Sequence, residues 1–177
     1  INPPAKTLLD IVKEAGLQVR GIGKIDDIFN ARGITHSIHT HGNQDGIDRT
    51  LLWLKEEFEG VLFVNLIDFD MHFGHRNDVA GFAAALSEFD LRLPEILSEM
   101  KQGDLLFITG DHGCDPTTPS TDHSREYTPL LVAGKTVTGG KDLGTRKSFG
   151  DIAATALDWL GIKPEVDGES FLELLTK

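Results

Sequence analysis

The 177-residue chain carries 17 Lys and Arg against 28 Asp and Glu, a formal net charge of −11 with histidine neutral, which excludes an ordinary nucleic-acid binder with a basic face. Hydrophobic residues make up 40% and charged residues 25%, the balance of a globular domain long enough to bury one core, so disordered and collagen-like chains are excluded. No apolar run approaches the ~18 residues a spanning helix needs, and the single cysteine, Cys114, cannot form an internal disulfide. No membrane association is therefore expected, and with no charged-then-apolar leader the expected compartment is the cytoplasm. The opening Ile1-Asn2-Pro3-Pro4, without Met, is what part of a larger protein would carry.

Thr7 to Ala15 places apolar residues at 8, 9, 11, 12 and 15, a helical spacing closed by Gly16. Leu17 to Gly23 reads as a short buried strand, Asp26 to Asn30 as a helical turn, Ile34 to Ile38 as a second strand, and Asn43 to Gly46 as a polar turn. A helix over Arg49 to Phe58 follows Asp48, and Val61 to Asp68 reads as a strand buried on both faces. Val79 to Met100 is helical in pattern, with Pro94 expected to kink it or to start a new helix. Asp104 to Thr109 and Pro129 to Ala133 are further strands, and helices over Phe149 to Leu160 and Ser170 to Leu175 close the chain. Strands alternating with helices predict an α/β fold, a mainly parallel sheet with helices on both faces, in one domain over residues 1–177.

Chemistry-bearing residues gather just past the predicted strands, where an open α/β sheet binds its ligands. Asp68 and Asp70 follow one strand, and Asp111 and His112 follow another, with His75 and His123 at neighbouring turns. Taken singly, each Asp reads as a cap and each His as a surface residue. Jointly, Asp70, His75, Asp111, His112 and His123 are five ligand-type side chains, and carboxylate with imidazole suits divalent ions such as Mn²⁺ or Zn²⁺. Such cations would hold several aspartates close in an acidic chain. Lys24, in a Gly-flanked turn after a strand, could offer backbone N–H groups and an ammonium to phosphate, or be a solvated lysine. His39-x-His41 has the form of a metal pair, yet no carboxylate or cysteine is spaced nearby to complete it, so it reads as a loop or strand-edge feature. Cys114 reads as packed rather than nucleophilic, because near neighbours such as His112 rarely align side chains for mutual hydrogen bonding.

The runs Asp68-Phe69-Asp70-Met71-His72-Phe73-Gly74-His75-Arg76-Asn77-Asp78 and Thr109-Gly110-Asp111-His112-Gly113-Cys114-Asp115-Pro116-Thr117, with Thr121-Asp122-His123-Ser124-Arg125-Glu126, resemble the phosphopentomutase branch of the alkaline phosphatase superfamily. Gly21 to Phe29 and Arg146 to Ile152 look like the same branch, so the resemblance runs through nearly all of the chain. It implies a two-metal phosphotransferase, usually manganese-dependent, that interconverts ribose 1-phosphate and ribose 5-phosphate and their deoxy forms through a phosphorylated threonine and a bisphosphate intermediate. Carried over residue by residue, it implies that Asp70, His75 and His123 hold one metal and that Asp111 and His112 contribute to the other. Asp68 and Asp122 are expected behind those ligands; by their position and charge, Arg76 and Arg125 are expected either to add positive field or to orient those aspartates, and Lys24 to contact substrate. His72 is peripheral to the pattern, and Ser120 stands where the branch would have glycine.

The resemblance also implies an early D-S-x-G-x-G-like run and a nucleophilic threonine, and neither occurs here. The chain is thus expected to be the C-terminal part of an alkaline-phosphatase-like core. Its expected partners are the N-terminal core part, a cap domain and a pentose phosphate. Two other readings stand beside this one. The first is another enzyme of the superfamily, such as a phosphoglycerate mutase, phosphodiesterase or sulfatase, against which the DHGCDPT and TDHSRE wording speaks. The second is a metal-binding fragment without activity.

Overall fold

A computed structural model describes residues 2–176. The first helix, α1 (Leu8–Glu14), starts where Thr7 and Asp10 cap each other: the Thr7 amide donates to Asp10 Oδ2 at 2.8 Å and the Asp10 amide to Thr7 Oγ1 at 3.4 Å. The chain then forms β1 (Gln18–Ile22), the single-turn α2 (Ile25–Ile28) and β2 (His36–Ile38). After α3 (Asn43–Leu54) comes β3 (Gly60–Val64), and the three strands pair in parallel in the order β2-β1-β3.

Alternation along β1 decides which helices cover which face. Val19 packs with Leu9, Val12, Ile25 and Leu157, so α1 and α5 (Gly150–Trp159) lie on one side. Arg20, the next residue, lies over the rings of Trp53 and Phe58, so α3 covers the other side and α4 (Val79–Glu99) packs upon α3. The expected α/β fold with parallel strands and helices on both faces is present. A second sheet pairs β4 (Leu106–Thr109) antiparallel to β5 (Leu130–Ala133), and α6 (Leu172–Thr176) follows α5. Among the described residues, no helix is long and apolar enough to cross a membrane.

Three local expectations are corrected. The polar run Asn43 to Gly46 is the first turn of α3 rather than a loop, because the Asp68 carboxylate accepts the Asn43 amide at 2.7 Å and fixes the helix start from a distance. The strand expected through Asp68 ends at Val64, and β3 is an outer, half-buried strand instead of one covered on both faces. Pro94 sits inside an unbroken α4. Both Pro94 and Asp90, whose carbonyl loses its helical partner there, are exposed, so water can replace the lost hydrogen bond.

Asp10 gives the fold an acid-sensitive contact. Burial pushes its carboxyl up, but bonds from the Thr7 amide, the Arg32 guanidinium and the Thr7 hydroxyl outweigh burial and hold it below its ordinary value of 3.8. A depressed carboxylate stabilises the fold above its unfolded pKa, and that stability is lost as pH falls through the folded value. Asp10→Asn is therefore expected to cost about 1–2 kcal/mol at neutral pH. Urea unfolding at descending pH should show the gap between the two proteins closing below 3.8.

Candidate metal centre

The carboxyl ends of the parallel strands all lead into residues singled out above. Gly23 and Lys24 follow β1, His39 follows β2, and the segment after β3 becomes a π-helix (Phe69–Phe73) running into a 3₁₀ turn (Gly74–Arg76). A π-turn is an uncommon conformation that recurs at functional sites, and here it carries Asp70. His75 stands on the 3₁₀ turn, and His123 comes from the long loop between β4 and β5.

These three side chains converge. Asp70 Oδ1 lies 3.3 Å from His75 Nε2 and 3.2 Å from His123 Nε2, and ligand atoms of all three fall within 4.8 Å of one another. Asp70 Oδ1 is buried yet has no hydrogen-bond partner. His75 Nδ1 lies 2.5 Å from the Thr121 carbonyl, which can only accept, so that nitrogen carries the hydrogen. In a neutral ring, Nε2 then presents its lone pair to the carboxylate. Two acceptors facing each other inside a protein are unfavourable unless a cation lies between them, so the donor set fits a divalent ion.

Packing holds the two loops in place. A Cβ on Gly74 would collide with Cys114 Sγ, so only glycine lets the loop after β4 close on the His75 turn. Burial, and then the Asp70 and Asp115 carboxylates, push the Cys114 thiol up, which keeps it protonated and makes it a packing group. Gly113 pairs with Ser124 in an isolated bridge, folding the loop back on itself. The His112 and His123 rings consequently stack with centroids 3.6 Å apart. Asp111 lies 3.6 Å from His112 Nε2 with its side chain 69% exposed, so the second pair borders the first group on its solvent side.

Asn77 and Thr121 escape the sequence reading. Asn77 has a left-handed backbone (φ +53°) and donates Nδ2 to the Thr118 carbonyl, fastening the His123 loop to the His75 turn. The only signal in the sequence is that asparagine tolerates this conformation after a short helix.

The residues expected to orient ligands behave differently from one another. Asp68 exchanges bonds with Asn43, accepting its amide and donating its own to Asn43 Oδ1 at 3.0 Å, so it pins α3 rather than the Asp70 group. Its other oxygen is 3.8 Å from His72 Nε2. Asp122 donates its amide to Ser120 Oγ at 3.0 Å, within its own loop. Arg76 and Arg125 are exposed, and neither pairs with a carboxylate among the described residues. Consecutive residues of a tight turn point in different directions, so Arg76 cannot follow His75 inward. Lys24 caps α2, and its Nζ reaches to 2.7 Å from Met71 Sδ on the π-helix that carries Asp70. His39, expected to lack carboxylate neighbours, meets Asp26 and Asp27 across the sheet end.

Hydroxyls near the group are occupied locally. Thr117 Oγ1 donates to Asp115 Oδ1 at 2.7 Å, Ser124 Oγ accepts the Asp115 amide at 2.8 Å, and Thr109 Oγ1 donates to the Gly110 carbonyl at 3.2 Å.

Comparison with known proteins agrees with this chemistry. The profile of the metalloenzyme superfamily matches residues 10–164. A phosphopentomutase of Acetivibrio thermocellus is 59% identical over 172 residues, which is 97% of this chain and 44% of that protein. One from Clostridium kluyveri is 55% identical over 177 residues, 46% of its length, and one from Desulfitobacterium hafniense is 56% identical over 172 residues, 44% of its length. The chain thus spans less than half of these curated relatives. Among solved structures, the PH0037 protein from Pyrococcus horikoshii has a similar fold, with a TM-score of 0.61 at 20% identity over 90% of this chain and 52% of that one.

Replacing Asp70 by Asn keeps the shape but removes the charge that offsets a cation. Mn²⁺ affinity measured by calorimetry is expected to fall about 100-fold or more. Asn77→Gly, which preserves the left-handed backbone but drops the bond to Thr118, should lower it by about 10-fold. Equal Mn²⁺ binding by wild type and Asp70→Asn would remove the Asp70 group as a metal centre.

Proposed function

The chain belongs to the metalloenzyme superfamily, and from that premise we propose that it forms the metal-binding C-terminal part of a phosphopentomutase core, acting on ribose 1-phosphate, ribose 5-phosphate and their deoxy forms. The observation that carries this reading is the buried, unpartnered Asp70 oxygen set between two imidazole nitrogens, within a chain 59% identical to a phosphopentomutase. Asp70, His75 and His123 would hold one divalent ion, expected to be Mn²⁺, and Asp111 with His112 would contribute to a second; bound there, the ions supply the positive charge that phosphoryl oxygens need during transfer.

The chain's own residues perform the remaining tasks. Thr121 fixes the His75 tautomer, and Asn77 and Gly74 keep the two ligand-bearing loops together. Lys24, at the mouth of the sheet beside Met71, places an ammonium where a sugar phosphate can dock in an otherwise acidic molecule. Arg76 and Arg125, exposed next to His75 and His123, add positive field for the incoming substrate. Thr109 and Thr117 donate their hydroxyls to Gly110 and Asp115, and Ser124 accepts the Asp115 amide, so the phosphorylated threonine of the mutase route is proposed to come from the part of the relatives' length that this chain does not span. The outer edge of β3 has no strand partner among the described residues, which gives such a part a place to dock.

The test is conversion of ribose 1-phosphate to ribose 5-phosphate with Mn²⁺, run on this chain alone and on the chain co-expressed with the N-terminal half of a matching phosphopentomutase. Turnover is expected only from the pair, without isomerisation of 3-phosphoglycerate. In the pair, Asp111→Ala or His123→Ala should reduce turnover by about 10³-fold or more, since each removes a group that neutralises transferring charge. Cys114→Ser should be tolerated. Robust turnover by the chain alone would overturn the assignment of the nucleophile, and turnover of 3-phosphoglycerate instead would favour the phosphoglycerate mutase reading.

A further inference from the structure

A second group of ligand-type side chains lies outside the Asp70 group, where α2 meets the end of β2. His39 Nε2 is 2.9 Å from Asp26 Oδ1, 3.1 Å from Asp26 Oδ2 and 3.8 Å from Asp27 Oδ2. One imidazole nitrogen therefore faces two carboxylates, and neither carboxylate has a Lys or Arg partner among the described residues. A neutral ring offers at most one hydrogen at this nitrogen, and a protonated ring offsets only one of the two negative charges. The group is left net negative in either state.

The spacing matches a shared ion as well as an ion pair. Donor atoms bound at ~2.1 Å to one ion lie ~3.0–3.4 Å apart in octahedral or tetrahedral arrangements. The separations here, 2.9 to 3.8 Å, bracket that range, and ligand atoms of all three residues lie within 4.8 Å of one another. Asp26 is held from behind: Ser37 Oγ donates to its Oδ2 at 3.1 Å and the Asp27 amide to its Oδ1 at 3.1 Å, the kind of support that fixes a ligating carboxylate. His39 and Asp27 are each 62% exposed in their side chains, which leaves room for water on the open side.

We propose that Asp26, Asp27 and His39 form a further, exchangeable divalent-cation site at the sheet rim, one that takes ions with affinity for imidazole, such as Zn²⁺, in preference to Mg²⁺. Three protein donors leave water to complete the shell, and the exposure of His39 and Asp27 opens the ion to exchange with solvent. When filled, the site ties α2 to the end of β2 and so steadies the turn at Lys24, the N-cap of α2. The inference is independent of the function proposed above, because none of its three residues belongs to the Asp70 group.

Zn²⁺ calorimetry and Zn²⁺-dependent thermal shifts near neutral pH test it, on the whole chain carrying Asp70→Asn to weaken the other group. That protein is expected to retain a Zn²⁺ binding event, with no matching event for Mg²⁺. Adding His39→Ala or Asp27→Asn should weaken the event by about 10-fold or more and remove the thermal shift. Asp27 is exposed, so Asp27→Asn keeps the test valid if His39→Ala disturbs folding. Identical Zn²⁺ titrations for the single and both double variants would overturn the proposal. So would the absence of any Zn²⁺ event in Asp70→Asn, which would leave Asp26 and His39 as an ion pair.

Discussion

Asp70 presents a carboxylate oxygen to two imidazole nitrogens in a place where water does not reach it, and the surrounding chain is arranged to keep that contact from relaxing. An unpaired buried acceptor costs on the order of 1–3 kcal/mol, more when charged, so a fold that merely sought stability would turn it outward. Here the π-helix sets Asp70 facing inward, the 3₁₀ turn brings His75 round within five residues, and Cys114 against Gly74 prevents the turn from moving away. The ordinary helix α4 begins only after Asn77 has reversed the backbone and Asp78 has capped it, accepting the Gly81 amide at 2.9 Å. Between β3 and α4 the irregular backbone carries Asp70 and His75, while regular elements on both sides hold its ends.

The parallel arrangement of β2, β1 and β3 makes this economical. Parallel strands deliver successive chain segments to the same end of the sheet, so Lys24, His39 and Asp70 arrive near one rim although they are far apart in sequence. The reciprocal bonds between Asn43 and Asp68 then join the start of α3 to the segment leaving β3. Moving either element would expose two hydrogen-bonding groups at once, which makes the rim a rigid frame.

Local signals in the sequence carry most of the architecture. α1 is legible because apolar spacing and Gly16 agree, and the Thr7 and Asp10 caps found in the fold reinforce the same start. The start of α3 is not, because Asn43 to Gly46 has the composition of a turn and its stabilising partner, Asp68, is distant in the chain. Pro94 misleads for a different reason: the rule against proline in helices weakens where the freed carbonyl meets solvent. The clustering of Asp70, His75 and His123 can be anticipated from residue type and position after strands, aided by the family resemblance. The contact of His39 with Asp26 cannot, since it depends on how α2 lies against β2, and neither element is long enough to leave a periodic pattern.

The outer strand β3 also bears on how this chain behaves in concentrated solution. Val61, Leu62, Phe63 and Val64 are uncharged, contain no proline, and leave one row of backbone groups without a strand partner among the described residues. Such a segment is a template for cross-chain β-association. Glu56, Glu57 and Glu59 stand immediately before it, and the whole molecule carries a charge of −11. Copies of like net charge repel before their edges can pair, so the acidity of the molecule opposes this association, and its protection weakens as salt screens it.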